Sequence, residues 1–459
     1  MDALSAAVLA GEPAERLAAT PLPDTYLAAH LRAEDVGIFA GAADKDVRRS
    51  LRLGPVPMPR IAPDEVIVAV MASSINYNTV WSAMFEPIPT FEFLRRYGRQ
   101  DAHAARHDLP HHVVGSDGAG VIVRVGSGVR RWRIGDRVVI SPAHIDDQEP
   151  GTHGDGMMGA EQRAWGFETN FGALAHYCVA RASQLLPKPA HMTWEEAACV
   201  PLCGGTAYRM LVGEHGARIK QGDVVLIWGA TGGLGSYAVQ LVKNGGGIPV
   251  GVVSSPERAA MLRRLGCDVV IDRSELGMGD AVQGGSAPGG TQAEDADRDI
   301  QAGKRLGRAI RAAVGEDPHV VFDYVGRATF GISVFVVRRG GTVVTCGSST
   351  GFRHVYDNRY LWMNLKRIIG SHIANLQEMR EFIRLVQLGR IGSAVSRVYP
   401  LAEVGEAARL VQSNAHLGKV GVLALAPERG LGVTDPALRA SLGPERLAPL
   451  SGAGVAYAG

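Results

Sequence analysis

Cysteine is scarce in this chain of 459 residues, which holds five: Cys178, Cys199, Cys203, Cys267 and Cys346. The number is odd and the chain is long, so the sequence predicts no disulfide framework. Cys199 and Cys203 are four residues apart in the sequence, but no cluster of further cysteines or histidines completes a zinc-binding set. We therefore expect no metal site.

Long apolar runs and an excess of one charge are also missing. No window holds as many as about 18 consecutive apolar residues, so no membrane span is expected. The 48 basic and 46 acidic residues leave a net charge of +2, which argues against a nucleic-acid partner. The N-terminus carries Asp2, Glu12 and Glu15 and has no basic stretch before an apolar one. We therefore expect no signal peptide and a cytoplasmic protein.

Glycine, by contrast, is plentiful, and its spacing changes along the chain. Residues 1–203 alternate short apolar runs with glycine turns, as in EVIVAVMASSINYN and FGALAHYCVA, and this pattern predicts a domain made mainly of β-strands. From Asp223 onward, strands, a glycine loop and helices alternate, which predicts a parallel sheet flanked by helices.

The patterns together predict an α/β protein of two domains. Residues 1–203 and 357–459 form the β-rich catalytic and substrate domain, because HLGKVGVLAL near the C-terminus predicts a returning strand. Residues 204–356 form a doubly wound nucleotide-binding domain. Residues 277–305 are rich in glycine and acidic residues, so a flexible insertion is expected there.

The most informative single motif is the glycine-rich loop GATGGLG, which lies between the apolar strand VVLIW and the helical pattern SYAVQLV. Glycines let the backbone approach a pyrophosphate, and the helix N-terminus supplies N–H donors. A tight strand–helix turn is the alternative, but the flanking strand and helix favour dinucleotide binding. The expected binding residues are Gly229, Thr231, Gly232, Gly233, Leu234 and Gly235.

The next strand indicates which dinucleotide binds. An NAD site carries Asp or Glu about 20 residues after the loop. Here the strand ends in Ser254 and Ser255, followed by Arg258. Hydroxyl groups and a guanidinium suit the 2′-phosphate of NADPH, and Arg273, after the third strand, is a further candidate. Arg258 could instead be a solvated residue at a helix N-terminus.

Several longer segments resemble one family. The chain is similar to the crotonyl-CoA carboxylase/reductases in SSINYNTVWSAMFEP, HDLPHHVVGSD, AWGFETNFGALA, VLIWGATGGLGSYA, VVSSPE, YDNRYLWMNLKRIIGSH and HLGKVGVLALAPERGLGV. This family is a zinc-free branch of the medium-chain dehydrogenase/reductase superfamily. Gly115-Ser116-Asp117 stands where zinc members carry Gly-His-Glu. The resemblance implies a GroES-like catalytic domain, a Rossmann NADPH-binding domain and a homotetramer arranged as a dimer of dimers.

The resemblance also implies a reaction. NADPH delivers hydride to the β-carbon of a 2-enoyl-CoA such as crotonyl-CoA, and the enolate attacks CO2 to give a 2-alkylmalonyl-CoA such as ethylmalonyl-CoA. Products of this kind serve as polyketide extender units. The family builds its CO2 pocket from four positions, which fall here on Asn78, Phe167, Glu168 and His372.

These four residue types suit that chemistry. The amide of Asn78 can donate to the developing carboxylate, Glu168 and His372 can hold a bridging water, and Phe167 can exclude bulk water. Each also has an ordinary alternative. Asn78 could cap a helix, Phe167 and His372 could be core residues, and Glu168 could pair with an arginine.

Five further positions follow from the superfamily. Thr206, Cys346 and Gly347 are candidates for contact with the cofactor, although Cys346 could simply be a small buried residue. Ala164 and Ile369 are candidates for the acyl pocket. Because Ala164 is small, the sequence favours acyl chains longer than crotonyl, whereas the bulk of Ile369 argues against them.

Two other functions remain open. One is an NADPH-dependent enoyl-CoA or quinone reductase that protonates its enolate instead of carboxylating it. The other is a non-catalytic, NADPH-binding structural protein on the same fold. Retention of Asn78, Glu168 and His372 argues against both.

Overall fold

The computed structural model of the protein describes residues 1–278 and 292–450. In chain order its strands are β1 (Thr25–Arg32), β2 (Arg52–Pro57), β3 (Glu65–Ile75), β4 (His111–Val113), β5 (Gly118–Val125), β6 (Arg137–Ile140), β7 (Ala143–His144), β8 (Arg163–Ala164), β9 (Tyr177–Arg181), β10 (Leu185–Pro187), β11 (Val224–Ile227), β12 (Ile248–Val253), β13 (Val269–Asp272), β14 (Val320–Phe322), β15 (Thr342–Thr345), β16 (Arg367–Gly370), β17 (Val395–Pro400) and β18 (Lys419–Leu423).

The helices complete the description. They are α1 (Ala3–Leu9), α2 (Ala14–Ala19), α3 (Tyr77–Met84), α4 (Thr90–Gly98), α5 (Trp194–Ala198), α6 (Pro201–Leu211), α7 (Gly233–Asn244), α8 (Pro256–Arg264), α9 (Gln292–Val314), α10 (Arg327–Val336), α11 (Arg359–Trp362), α12 (Leu376–Gln387), α13 (Val404–Gln412), α14 (Pro436–Leu442) and α15 (Pro444–Leu447). Within the described ranges, none of them combines the length and the apolar character needed to cross a membrane.

The chain divides into two compact units, and the first comprises, of the described residues, 1–202 and 375–450. Its main sheet has the order β10-β6-β5-β3-β18-β17, and β9 also pairs with β3. β3 is buried along its whole length because it pairs with β5, β9 and β18, which explains its nearly unbroken apolar sequence. A smaller sheet has the order β2-β1-β4. This unit is the predicted β-rich domain.

The second unit, residues 203–374, contains a six-stranded sheet of order β13-β12-β11-β14-β15-β16. Every strand pair in it is parallel. This is the doubly wound architecture, in which the carboxyl ends of the strands share one edge and form the usual place for a nucleotide. The predicted α/β fold with a Rossmann unit is confirmed.

One predicted domain boundary is displaced in the structure. The sequence assigned residues 357–374 to the catalytic domain, but β16 pairs with β15 through Val343–Ile368 and Val344–Ile369. The segment therefore belongs to the second unit. The apolar run RIIG completes the parallel sheet before the chain returns to the first unit at Asn375.

The predicted flexible insertion at 277–305 is partly wrong. Residues 279–291 lie outside the described residues, but 292–305 form the first half of α9. Ala302, Leu306 and Ile310 are buried in the core of the second unit. Their spacing of four residues places them on one helix face. The acidic residues beside them masked this periodicity in the sequence.

Candidate functional site

The glycine-rich loop follows the carboxyl end of β11 and leads into α7. Gly232 is the N-cap residue of α7, and its N–H donates to the Gly229 carbonyl at 2.8 Å. Gly233, Leu234 and Gly235 form the first turn, where backbone N–H groups lack helical partners and suit an anion. A Cβ atom at Gly235 would lie 2.3 Å from the Gly229 oxygen, so no other residue fits there without moving the loop.

Tyr324, which follows β14, contacts this loop, although no pattern in the sequence predicts a role for it. Its hydroxyl donates to the Gly229 carbonyl at 2.8 Å. Burial raises the pKa of the Tyr324 phenol, so it stays neutral. A Cβ atom at Gly232 would come within 2.6 Å of the same hydroxyl. Only the folded arrangement shows this contact, because the two segments are 95 residues apart in the sequence.

The predicted 2′-phosphate residues lie at the ends of β12 and β13. Arg258, in the first turn of α8, donates from Nη1 to Thr231 Oγ1 at 2.8 Å. Ser255 caps α8 and Ser254 is exposed. The backbone N–H of Arg273 donates to the Val253 carbonyl at 3.0 Å, which fixes it at the same edge.

The electrostatics of this edge favour an anion. Burial and the positive charge of Arg258 lower the pKa of Arg273, so the two guanidinium groups repel each other. A phosphate relieves that repulsion and accepts hydrogen bonds from both groups. Glu257, the acidic residue next to Arg258, is exposed. These residues therefore fit a dinucleotide that carries a 2′-phosphate.

The remaining cofactor candidates lie in the same unit. Cys346 and Gly347 directly follow β15 at the carboxyl edge of the sheet, and Thr206 is buried in α6. Burial, with smaller contributions from Cys203 and Asp323, raises the pKa of the Cys346 thiol to about 12. The thiol therefore stays protonated, which does not suit a nucleophile.

In the first unit, the Asn78 side chain is held by Ser116. Asn78 lies in the first turn of α3, and its Nδ2 donates to Ser116 Oγ at 2.8 Å. Its Oδ1 is buried and has no hydrogen-bond partner among the residues that the structure describes. Asn76, not Asn78, is the N-cap residue of α3. The alternative that Asn78 caps a helix is therefore wrong.

Asp117, which follows Ser116, accepts hydrogen bonds from three side chains. Asp117 is fully buried, and its Oδ2 accepts from Ser74 at 2.7 Å, from Asn76 at 2.8 Å and from Lys419 Nζ at 3.1 Å. The Asp117 carboxylate is therefore neutralised by a buried lysine of the chain itself. Residues 1–278 and 292–450 contain no group of three or more His, Cys, Asp or Glu side chains that could hold a metal ion.

Phe167 and Glu168 lie in a tight turn after β8. The backbone N–H groups of both residues donate to the Ala164 carbonyl, at 3.2 and 2.8 Å. The Glu168 carboxylate accepts from the Ala164 N–H at 2.7 Å, so it stabilises its own turn and is not held by an arginine in the described structure. Both side chains are half-buried, and the Phe167 ring lies 5.8 Å from that of Phe93. Ala164 itself is buried.

His372 and Ile369 belong to the second unit. Ile369 is a half-buried residue of β16. His372 follows the end of this strand, next to Ser371, whose N–H donates to the Thr345 carbonyl at 2.7 Å. Because His372 is exposed within the chain, the alternative that it is a core histidine is wrong.

Two protein families match successive parts of the chain. Residues 62–190 match the alcohol dehydrogenase GroES-like domain. Residues 233–387 match the zinc-binding dehydrogenase family. Although the second family is named for zinc, the three hydrogen bonds that Asp117 accepts do not fit a zinc site.

Similar proteins cover nearly the whole chain. A crotonyl-CoA reductase of Streptomyces collinus is 50% identical over 92% of this chain and 93% of the relative. A crotonyl-CoA carboxylase/reductase of Cereibacter sphaeroides is 37% identical, over 83% and 86%. The solved structure of the 2-octenoyl-CoA carboxylase reductase CinF with NADP and 2-octenoyl-CoA is similar with a TM-score of 0.94 and 63% identity, over 98% of this chain and 99% of that one.

Proposed function

Because the chain belongs to the crotonyl-CoA carboxylase/reductase family, we propose that it uses NADPH to reduce and carboxylate a 2-enoyl-CoA. The products are a 2-alkylmalonyl-CoA and NADP. One structural observation carries the proposal. The half-buried amide of Asn78 is fixed by Ser116, next to the buried Lys419–Asp117 pair.

The glycine loop and two arginines of the second unit support NADPH as the cofactor. The backbone N–H groups of Gly233, Leu234 and Gly235 would hold the pyrophosphate of NADPH, and Arg258 and Arg273 would hold its 2′-phosphate. NADPH, when bound, supplies the hydride for the β-carbon of the enoyl-CoA. The role of the chain is to bind and orient the two substrates and to exclude water.

The first unit governs the fate of the enolate. Its α-carbon can form a bond to the carbon of CO2 or take a proton from water. In the first case an oxygen of CO2 becomes a carboxylate oxygen, and the amide of Asn78 stabilises that developing charge. Phe167 excludes the water that would protonate the α-carbon. We propose that Glu168 holds a water that donates to the second oxygen, and that His372 has the role in carboxylation that the family resemblance implies.

We propose that the acyl chain is longer than crotonyl. The 63% identity with CinF, named for 2-octenoyl-CoA, supports this, and so does the small buried side chain of Ala164. Ala164→Ile is expected to lower kcat/KM for 2-octenoyl-CoA by about tenfold relative to crotonyl-CoA, because added methylene groups occupy the space of the chain. Steady-state kinetics with both substrates measure this ratio.

The opposite substitution provides the control. Ile369→Ala creates space, so it is expected to raise the preference for 2-octenoyl-CoA. Equal turnover of short and long chains by wild type and Ala164→Ile would contradict the assignment of Ala164 to the acyl pocket.

The overall function is tested by product analysis. NADPH oxidation is followed with crotonyl-CoA and with 2-octenoyl-CoA, each with and without bicarbonate, and the products are identified by mass spectrometry. A 2-alkylmalonyl-CoA that depends on bicarbonate supports the proposal. Saturated acyl-CoA alone would show a simple reductase, and NADPH binding without turnover would show a structural protein.

We also propose a homotetramer that acts in the cytoplasm and makes polyketide extender units. β16 is an edge strand of its sheet, and Trp362, Met363, Leu365 and Ile368 near it are exposed apolar residues. An unpaired edge beside apolar side chains favours association with another copy. Sedimentation analysis measures the assembly.

The proposed location and role follow from the substrates and the product. CoA thioesters and NADPH are cytoplasmic metabolites, and polyketide synthesis consumes substituted malonyl-CoA units.

A further inference from the structure

The turn that carries Phe167 and Glu168 packs closely against the segment before β5. We call residues 164–172 the Phe167 segment. A Cβ atom at Gly166, where φ is +68°, would lie 2.2 Å from the Gly115 carbonyl oxygen. The N–H of Gly115 donates to the Gly166 carbonyl at 3.1 Å. The Phe167 segment therefore has no room to move toward residues 113–115.

The far end of the Phe167 segment is held by the backbone bond from the Gly172 N–H to the Val113 carbonyl, at 2.9 Å, and by side chains. Asn170 Oδ1 accepts from the Val113 N–H at 2.8 Å, and its Nδ2 donates to the His111 carbonyl at 2.7 Å. Thr169, directly after Glu168, has its carbonyl oxygen 3.2 Å from Nε2 of His112. Thr169 and His112 are both fully buried.

His112 links this segment to α4. Its Nδ1 lies 2.8 Å from Oγ1 of Thr90, the first residue of α4. A carbonyl oxygen only accepts, so Nε2 carries the hydrogen that is donated to Thr169. Burial lowers the pKa of His112 to about 4, so the ring is neutral near pH 7. Nδ1 is then an acceptor, and the Thr90 hydroxyl donates to it.

The same helix also contacts Phe167 directly. Phe93 of α4 lies with its ring centroid 5.8 Å from that of Phe167. α4 thus acts on the Phe167 segment at two points, through an aromatic contact and through the hydrogen-bond chain from Thr90 to His112 to Thr169. A shift of this helix moves Phe167 and the adjacent Glu168 together.

We propose that His112 is a positioning residue for carboxylation, which holds Phe167 and Glu168 in place through the Thr90–His112–Thr169 chain. The inference rests on the proposed function and extends it to a residue that touches no substrate. Loosening the segment admits water to the enolate and leaves hydride transfer unaffected. The expected effect is therefore a change of product ratio at a constant rate of NADPH oxidation.

The test compares three variants by their ratio of carboxylated to saturated product under limiting bicarbonate. His112→Leu, which removes both hydrogen bonds, is expected to lower the ratio about fivefold or more and to raise the KM for CO2. His112→Gln keeps an amide donor for Thr169 and is expected to stay within about twofold of wild type. Thr90→Val removes only the hydrogen bond between Thr90 and His112, and it is expected to lower the ratio about two- to threefold.

His191→Leu is the matched control. His191 is also buried in the first unit, but neither ring nitrogen has a hydrogen-bond partner in the described part of the chain. Its loss is expected to leave the product ratio unchanged. Substitutions that only destabilise the fold lower the amount of active enzyme and leave the ratio as it was.

The outcomes separate the two proposals. If wild type carboxylates but His112→Leu and Thr90→Val both keep the wild-type ratio, the role of His112 is overturned and the proposed function stands. If His112→Leu does not fold, Thr90→Val alone decides. If wild type yields only saturated acyl-CoA, the proposed function is overturned and this inference falls with it.

Discussion

Asn78→Leu is expected to lower the ratio of carboxylated to saturated product by about 100-fold, the loss typical for removal of one donor to a developing oxyanion. Leucine has the same branching and the same number of side-chain heavy atoms as asparagine, but it cannot donate to the carboxylate that forms from CO2. Hydride transfer precedes this step, so NADPH oxidation with 2-octenoyl-CoA should continue. Product analysis by mass spectrometry, at several bicarbonate concentrations, gives the ratio.

Thr79→Val is the matched control for this prediction. Thr79 is the next residue of α3, and its buried hydroxyl has no hydrogen-bond partner within residues 1–278 and 292–450. Valine has the same shape, so the product ratio should remain that of wild type. An unchanged ratio in Asn78→Leu itself would show that Asn78 does not stabilise the carboxylate.

Replacement of Arg258 and Arg273 by alanine is expected to abolish the preference for NADPH. The two guanidinium groups lie at the ends of neighbouring strands, and each charge-assisted hydrogen bond to a phosphate contributes about 1.5–3 kcal/mol. The double variant should therefore lose about 100-fold or more in kcat/KM for NADPH. The value for NADH, which has no 2′-phosphate, should fall much less, because it loses only the support that Arg258 gives to the glycine loop through Thr231. Steady-state kinetics with both cofactors measure the ratio.

The single variants resolve a second role of Arg258. Because Arg258 also donates to Thr231 in the glycine loop, its loss can weaken both cofactors. Arg273→Ala alone should therefore show the more selective loss of NADPH. Arg264→Ala, an exposed residue in the last turn of α8, is the control and should change neither value. Equal losses for NADPH and NADH in Arg273→Ala would contradict the phosphate assignment.

The parts that could be predicted from the sequence are those that local patterns determine. The glycine loop from Gly229 to Gly235 lies between its own strand and helix, so spacing alone located it. The alternation of strands and helices likewise predicted the parallel sheet. The helix over 292–305 was not predicted, because the many glycine and acidic residues of 277–305 indicated a loop. The four-residue spacing of Ala302 and Leu306, which indicates a helix, was the weaker signal.

Contacts between distant segments could not be predicted in this way. Lys419 and Asp117 are 302 residues apart in the sequence, and only the folded sheet brings β18 beside β3. The contacts of Tyr324 with the glycine loop and of His112 with the Phe167 segment also join residues that are far apart in the sequence. Asn78, Phe167, Glu168 and His372 were selected through family resemblance, since nothing in their spacing indicates a CO2 pocket.

The most direct test of reductive carboxylation is the fate of labelled carbon. The enzyme is incubated with 2-octenoyl-CoA, NADPH and ¹³C-bicarbonate, and the acyl-CoA product is analysed by mass spectrometry. The account predicts a substituted malonyl-CoA that carries one labelled carbon for each NADPH oxidised. Unlabelled octanoyl-CoA, formed at the same rate whether or not bicarbonate is present, would contradict it.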